Sequence, residues 1–177
     1  MTAKTKLVTP KFLTTEMAEN AIQAAILTVF DGEVKDLLPP KRHECHVIVI
    51  VPGMEDDRPD YPKYPDYPIH PVVLCEYTAG DPKKFAHPYC DIARCKGLQL
   101  WHGRNDDRTC NQPHLLFPGD TPFWGGVKRR GIVVACSGLQ PWIDKFISGM
   151  VADLLVAMAH GAWEDCPEEA RGDSFLE

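Results

Sequence analysis

No two of the seven cysteines (Cys45, Cys75, Cys90, Cys95, Cys110, Cys136 and Cys166) are spaced as Cys-x-x-Cys. The densest clusters, His43-Glu44-Cys45-His46 and His87 to Cys95, lack zinc-finger spacing, so no metal is assigned. The first residues, Met1-Thr-Ala-Lys-Thr-Lys6, lead into no secretory hydrophobic region. An odd cysteine count without an export signal implies reduced thiols and a cytoplasmic protein. No apolar run approaches the roughly 18 residues of a membrane span, so no membrane partner is expected. Positive charge is short as well: 19 Lys and Arg against 25 Asp and Glu leave a net charge of −6. That argues against a nucleic-acid partner, which favours a basic face. No nucleophile–base motif is present either.

What is there fits one globular domain. A chain of 177 residues is long enough to bury a sizeable core and short enough to do so once. The domain is expected over residues 1–163, with a Tyr/Pro-rich insert at 54–69 and an acidic tail at 164–177. Thr14 or Thr15 can N-cap a first helix to about Phe30, with Glu16 and Glu19 in its early turns and Met17, Ala21, Ala24, Ala25 and Ile26 on one face. Pro39-Pro40 stops further helix. His46–Val51 is the strongest strand, and its unbroken apolar run predicts burial on both faces. Pro71–Tyr77 is a second strand. Pro88 to about Trp101 reads as a helix, and Pro141 to about Trp163 as the last one, with proline tolerated in its first turn.

The insert between the first two strands repeats Tyr-Pro at Tyr61, Tyr64 and Tyr67. Proline fixes φ and removes a donor, so this segment should be extended and outside any sheet. It is either a lid or partner-binding arm, or a surface excursion. In the last third, Gly125-Gly126 and the basic Lys128-Arg129-Arg130-Gly131 read as chain breaks, followed by the buried strand Ile132–Cys136. That strand ends in Ser137-Gly138 directly before the last helix. Small residues there make either a tight corner or a place where a ligand approaches the backbone. The expected class is α+β, an antiparallel sheet flanked by helices in the order α-β-β-α-β-β-α.

Several segments resemble the GlcG/HbpS family, also called haem-degrading-like, which includes the C-terminal domain of PduO proteins. Leu7–Ala18 and Ala21–Ala25 are similar to its opening helix, and Val47–Gly53 to its first strand and glycine turn. Arg94 stands where the family has lysine, and Gly119-Asp-Thr-Pro122 where it has Gly-Gly-Val-Pro. Ser137-Gly138-Leu139 is similar to its Ser-Gly turn, and Asp144 to the acidic residue that follows. The resemblance implies a profilin- or PAS-like sheet, a homo-oligomer and a small-molecule pocket, with haem or a corrinoid bound by some members. Fold alone does not fix function.

Three readings follow. The first is a binding protein for a planar or macrocyclic ligand such as haem, with His87, His102 or His160 toward iron and Arg94, Arg129 or Arg130 toward propionates. The second is an enzyme acting on a cyclic carboxylated or phenolic metabolite. Here Arg94 holds an anion, His102 is acid or base with Asp120 as partner, and the N–H groups near Gly125 and Gly126 stabilise an oxyanion. Trp101, Phe123 and Trp124 would stack on the ring, and Ser137 completes the expected ligand-binding set. The third is a non-catalytic assembly or regulatory subunit that uses Tyr61, Tyr64 and Tyr67 as its partner surface.

Overall fold

A computed structural model describes residues 7–55, 69–105 and 113–167. Five strands run β1 Leu7–Val8, β2 Cys45–Glu55, β3 His70–Ala79, β4 Gly126–Arg129 and β5 Ile132–Ser137. Four helices are α1 Thr15–Phe30, the single turn α2 Val34–Leu37, α3 Tyr89–Trp101 and α4 Pro141–Glu164. All strand pairs are antiparallel, with β2 between β3 and β5, and β4 outside β5. Strand β1 pairs only with Met54 and Glu55 at the far end of β2. This is the expected α+β sheet flanked by helices, with β1 and α2 as short additions.

The core follows from the two-residue period of a strand. Val47, Val49 and Val51 on β2, with Val134 and Cys136 on β5, face α1 and α4. Ile48 and Ile50, with Val133 and Ala135, face the opposite way and meet Ala93 and Leu100 of α3. Both faces of β2 are covered, which explains why its apolar run does not alternate with polar residues. Burying each such Val or Ile contributes roughly 1.5–3 kcal/mol.

Thr14 caps α1 as its position predicts, its Oγ1 accepting from Met17 N at 3.1 Å. Helix α4 is, by length and composition, long and apolar enough to cross a membrane, which corrects the expectation that no run approaches a span. A third of that stretch is buried, with Ile143, Ile147, Val151 and Leu155 fully in the core. Cys45, Cys75 and Cys136 are free thiols buried in the same core.

Two further expectations need correction. Lys128 and Arg129 are not a chain break but the second half of β4. The turn is only Arg130-Gly131, at φ 49° and 84°, between the paired Arg129 and Ile132, as two-residue hairpins require. Strand β2 also does not end at Val51: it continues to Glu55 and pairs with β3 through Gly53 opposite His70. The insert therefore joins two strands of one antiparallel pair. Tyr61, Tyr64 and Tyr67 lie outside the described residues.

Candidate functional site

The sheet places one end of β5 between helices on opposite faces. Ser137 closes the strand, Gly138 and Leu139 turn, and α4 starts at Pro141. Gly138 sits at φ 136°, and a Cβ there would lie 2.4 Å from Glu44 O. The corner is thus tight, and only glycine fits it. Its other side is a cavity of about 190 Å³. The wall includes Ser137, Gly138 and Leu139 from the corner, Tyr89, Ile92 and Lys96 from α3, and Phe123 and Trp124 from the loop before β4. Arg42, His87, Pro141 and Asp144 complete it.

The chemistry of this cavity centres on a buried ion pair. Lys96 and Asp144 are 1% and 2% exposed. Lys96 Nζ donates to Asp144 Oδ2 at 3.1 Å and to Cys136 O at 2.8 Å. Asp144 Oδ1 accepts from Leu139 N at 3.1 Å. Lysine comes from α3 and aspartate from α4, so the pair ties the two faces together past the end of β5. Burial pushes the Asp144 carboxyl above its ordinary range, against the pull of Lys96 and the Leu139 N–H.

Neighbouring groups hold the wall in place. Gly125, at φ 128°, leaves no room for a Cβ, which would lie 2.6 Å from Asp144 Cβ. The Ser148 hydroxyl bridges Gly125 O at 3.0 Å and Asp144 O at 2.8 Å. The loop carrying Phe123 is pinned to α3: the Gln99 amide donates to Thr121 O at 3.2 Å and accepts from Thr121 N at 3.3 Å. Asn105 Nδ2 donates to Phe123 O at 3.0 Å. The Tyr89 ring packs against Phe85 and His87 at centroid distances of 5.0 and 6.1 Å. Its hydroxyl is buried and has no hydrogen-bond partner among the described residues. Burial raises the Tyr89 pKa.

Of the residues expected at a site, the structure brings Phe123, Trp124 and Ser137 into this wall, with Gly125 directly behind Asp144. Others lie elsewhere. Arg94 forms a two-pronged bond with Glu76, at 2.6 and 2.9 Å, on the half-exposed side of α3. Asp120 pairs with Arg104 and accepts from Phe117 N at 2.8 Å, a loop-holding role. That pairing keeps its carboxyl below the ordinary range. His102 is the exposed C-cap of α3. The Trp101 ring lies under the Lys128 ammonium, 5.3 Å from its centroid. Gly126 pairs with Ala135 and gives room to Leu100, so it packs rather than binds. Arg129, Arg130 and His160 line a second cavity of about 600 Å³, where Arg129 pairs with Asp153 and the His160 ring meets Trp163 edge-on. Of the three iron-ligand candidates, His87 lines the cavity at the corner and His160 this second one. Among the described residues no three His, Cys, Asp or Glu side chains cluster as a metal site.

The residue that sequence reasoning missed is Lys96. Its signal was available: Tyr89, Ala93, Lys96, Gly97 and Leu100 form the buried stripe of α3, and a lysine in such a stripe needs a buried partner. That partner, Asp144, is 48 positions away, so only the fold identifies it.

Compared with protein-family profiles, curated proteins and solved structures, the chain matches none.

Proposed function

We propose that the chain is a small-molecule binding protein of the GlcG/HbpS type, and that its ligand is a compact, flat molecule carrying a carboxylate or carbonyl. One observation carries this reading: a cavity with aromatic walls that ends on a buried lysine–aspartate pair. Arg42 and Lys96 against Asp144 leave one net positive charge in the wall, which suits an anionic ligand. Tyr89, Phe123 and Trp124 offer ring faces to a planar body. The small Ser137-Gly138 corner and the placement of Asp144 in the first turn of α4 are in keeping with the family resemblance.

The cavity of about 190 Å³ is smaller than the roughly 300–1,000 Å³ typical of drug-sized sites, which favours a single ring or a short acid over a whole tetrapyrrole as its occupant. The unpartnered Tyr89 hydroxyl favours an enzyme as second reading, one that performs acid–base chemistry on a cyclic carboxylated or phenolic metabolite. In that case Tyr89 and the Lys96–Asp144 pair, not His102 and Asp120, move the protons.

A thermal-shift screen of small aromatic and cyclic carboxylates tests the proposal. A ligand present at a hundred times its Kd stabilises the fold by about 2.7 kcal/mol. Trp124→Ala and Arg42→Ala should weaken the shift, while Arg94→Ala and His102→Ala should leave it intact. No stabilisation by any such acid, or a saturable one-to-one Soret titration with ferric haem, would overturn it.

A further inference from the structure

We propose that Lys96 is an imine-forming lysine, which takes a small carbonyl compound from the cavity as a covalent adduct. The inference rests on the binding reading above and specifies its substrate class. Lys96 satisfies its charge through Asp144 and Cys136 O but also forms part of the wall of a cavity. Tyr89, a residue of the same wall, has a buried hydroxyl without a hydrogen-bond partner among the described residues. Tyr89 and Lys96 are seven positions apart on the buried stripe of α3, two turns along one helix face. Lysine side chains on a helix lean toward its N-terminus, here toward Tyr89.

The groups present suffice for the step, and it needs no oxidant or cofactor. Lys96 gives one proton to Asp144 Oδ2 along the bond between them, and its free amine adds to the carbonyl carbon. The carbonyl oxygen becomes a hydroxyl by taking a proton, for which Tyr89 is the donor within the wall. The Tyr89 phenolate takes the second amine proton, and Asp144 gives the first to the hydroxyl as the C–O bond breaks and water leaves, so both side chains end as they began. In sum, the ammonium and the carbonyl compound give a protonated imine and one water. The positive charge stays on the same nitrogen, still beside Asp144. Asp144 is held in place by Leu139 N–H, and the apolar, aromatic wall limits hydrolysis of the adduct.

The test uses the unmodified chain with 4-carboxybenzaldehyde and sodium cyanoborohydride, followed by peptide mapping. Lys96 should be reductively alkylated about tenfold faster than the exposed Lys41, Lys83 and Lys84, as expected for an activated lysine. Tyr89→Phe, which removes one oxygen, should slow alkylation of Lys96 and leave thermal stability and surface labelling unchanged. Benzoate, which cannot form an imine, is tested in parallel for thermal stabilisation. Stabilisation by benzoate without preferential labelling of Lys96 overturns the imine proposal and leaves the binding reading standing. Neither effect overturns both.

Discussion

Replacing Lys96 by methionine keeps most of the side-chain volume and removes the ammonium, which isolates the consequences of the buried pair. In the native chain Asp144 accepts from Lys96 Nζ and Leu139 N–H and also bonds the Cys136 side chain. The substitution removes the one charged partner, in a site 2% exposed, and also strips Cys136 O of the bond from Nζ. Breaking a buried ion pair by removing one partner costs about 3–5 kcal/mol. For a domain of this size each kcal/mol is worth about 2–4 °C, so Tm should fall by roughly 6–20 °C. The deficit should depend on pH. Burial already holds the Asp144 pKa above its ordinary 3.8, and losing Lys96 raises it further. A raised folded-state carboxyl pKa destabilises as pH climbs above the unfolded value, so the deficit should be small near pH 4 and larger at pH 7. Urea unfolding followed by tryptophan fluorescence and circular dichroism at both pH values measures this. The double variant Lys96→Met, Asp144→Leu should recover much of the loss, because two apolar side chains replace two desolvated charges. A single-variant loss below about 1 kcal/mol with an unchanged m-value would refute the reasoning, since it would mean that the pair is solvated. A double variant no more stable than the single one would place the loss in packing rather than in charge.

The sheet edge should report on acid. His46 is buried, its Nδ1 within 2.8 Å of Thr78 Oγ1, and burial lowers its pKa below 6.5. Its Nε2 lies 3.5 Å from Glu76 Oε1, whose charge works against the lowering by burial without reversing it. Glu76, bonded by Arg94, has a pKa below its ordinary 4.5. Both shifts have one sign: the unfolded chain binds the proton first, so stability should fall as pH drops below about 6.5 for His46 and again below about 4.5 for Glu76. Glu76→Gln should flatten the second decline, and an unchanged acid limb in urea titrations would refute that assignment. Two glycine substitutions should have opposite signs. Gly125→Ala forces a Cβ against Asp144 at φ 128° and should lose about 1–3 kcal/mol. Gly161→Ala, in α4 with nothing within 4 Å, should gain roughly 0.5–1 kcal/mol. Equal effects by calorimetry would contradict the close approach of Gly125.

Much of the architecture was legible because it is set by local periodicity. The unbroken apolar run from Val47 to Val51 can only be a strand covered on both faces, and α1 and α4 on one side with α3 on the other supply that cover. Thr14 marked the start of α1 because an N-cap is a local bond. The Lys128-Arg129 segment misled because charge suggests a turn, whereas alternate residues of an edge strand such as β4 face solvent at little cost. The site was only half legible. Phe123, Trp124 and Ser137, singled out from the aromatic loop and the small residues at the end of a strand, line the cavity. Arg94, His102 and Asp120 have the right chemistry but point to partners or to solvent, and their orientation is fixed by what packs around them.

By itself, then, the sequence determined the helices, the central strands and the tight corner at Ser137-Gly138, since each depends on residues within a few positions of one another. Only the tertiary structure decided the chemistry. Lys96 and Asp144 lie on helices of opposite sheet faces, and a buried charge selects its partner by distance in space and by the desolvation that forces the two together.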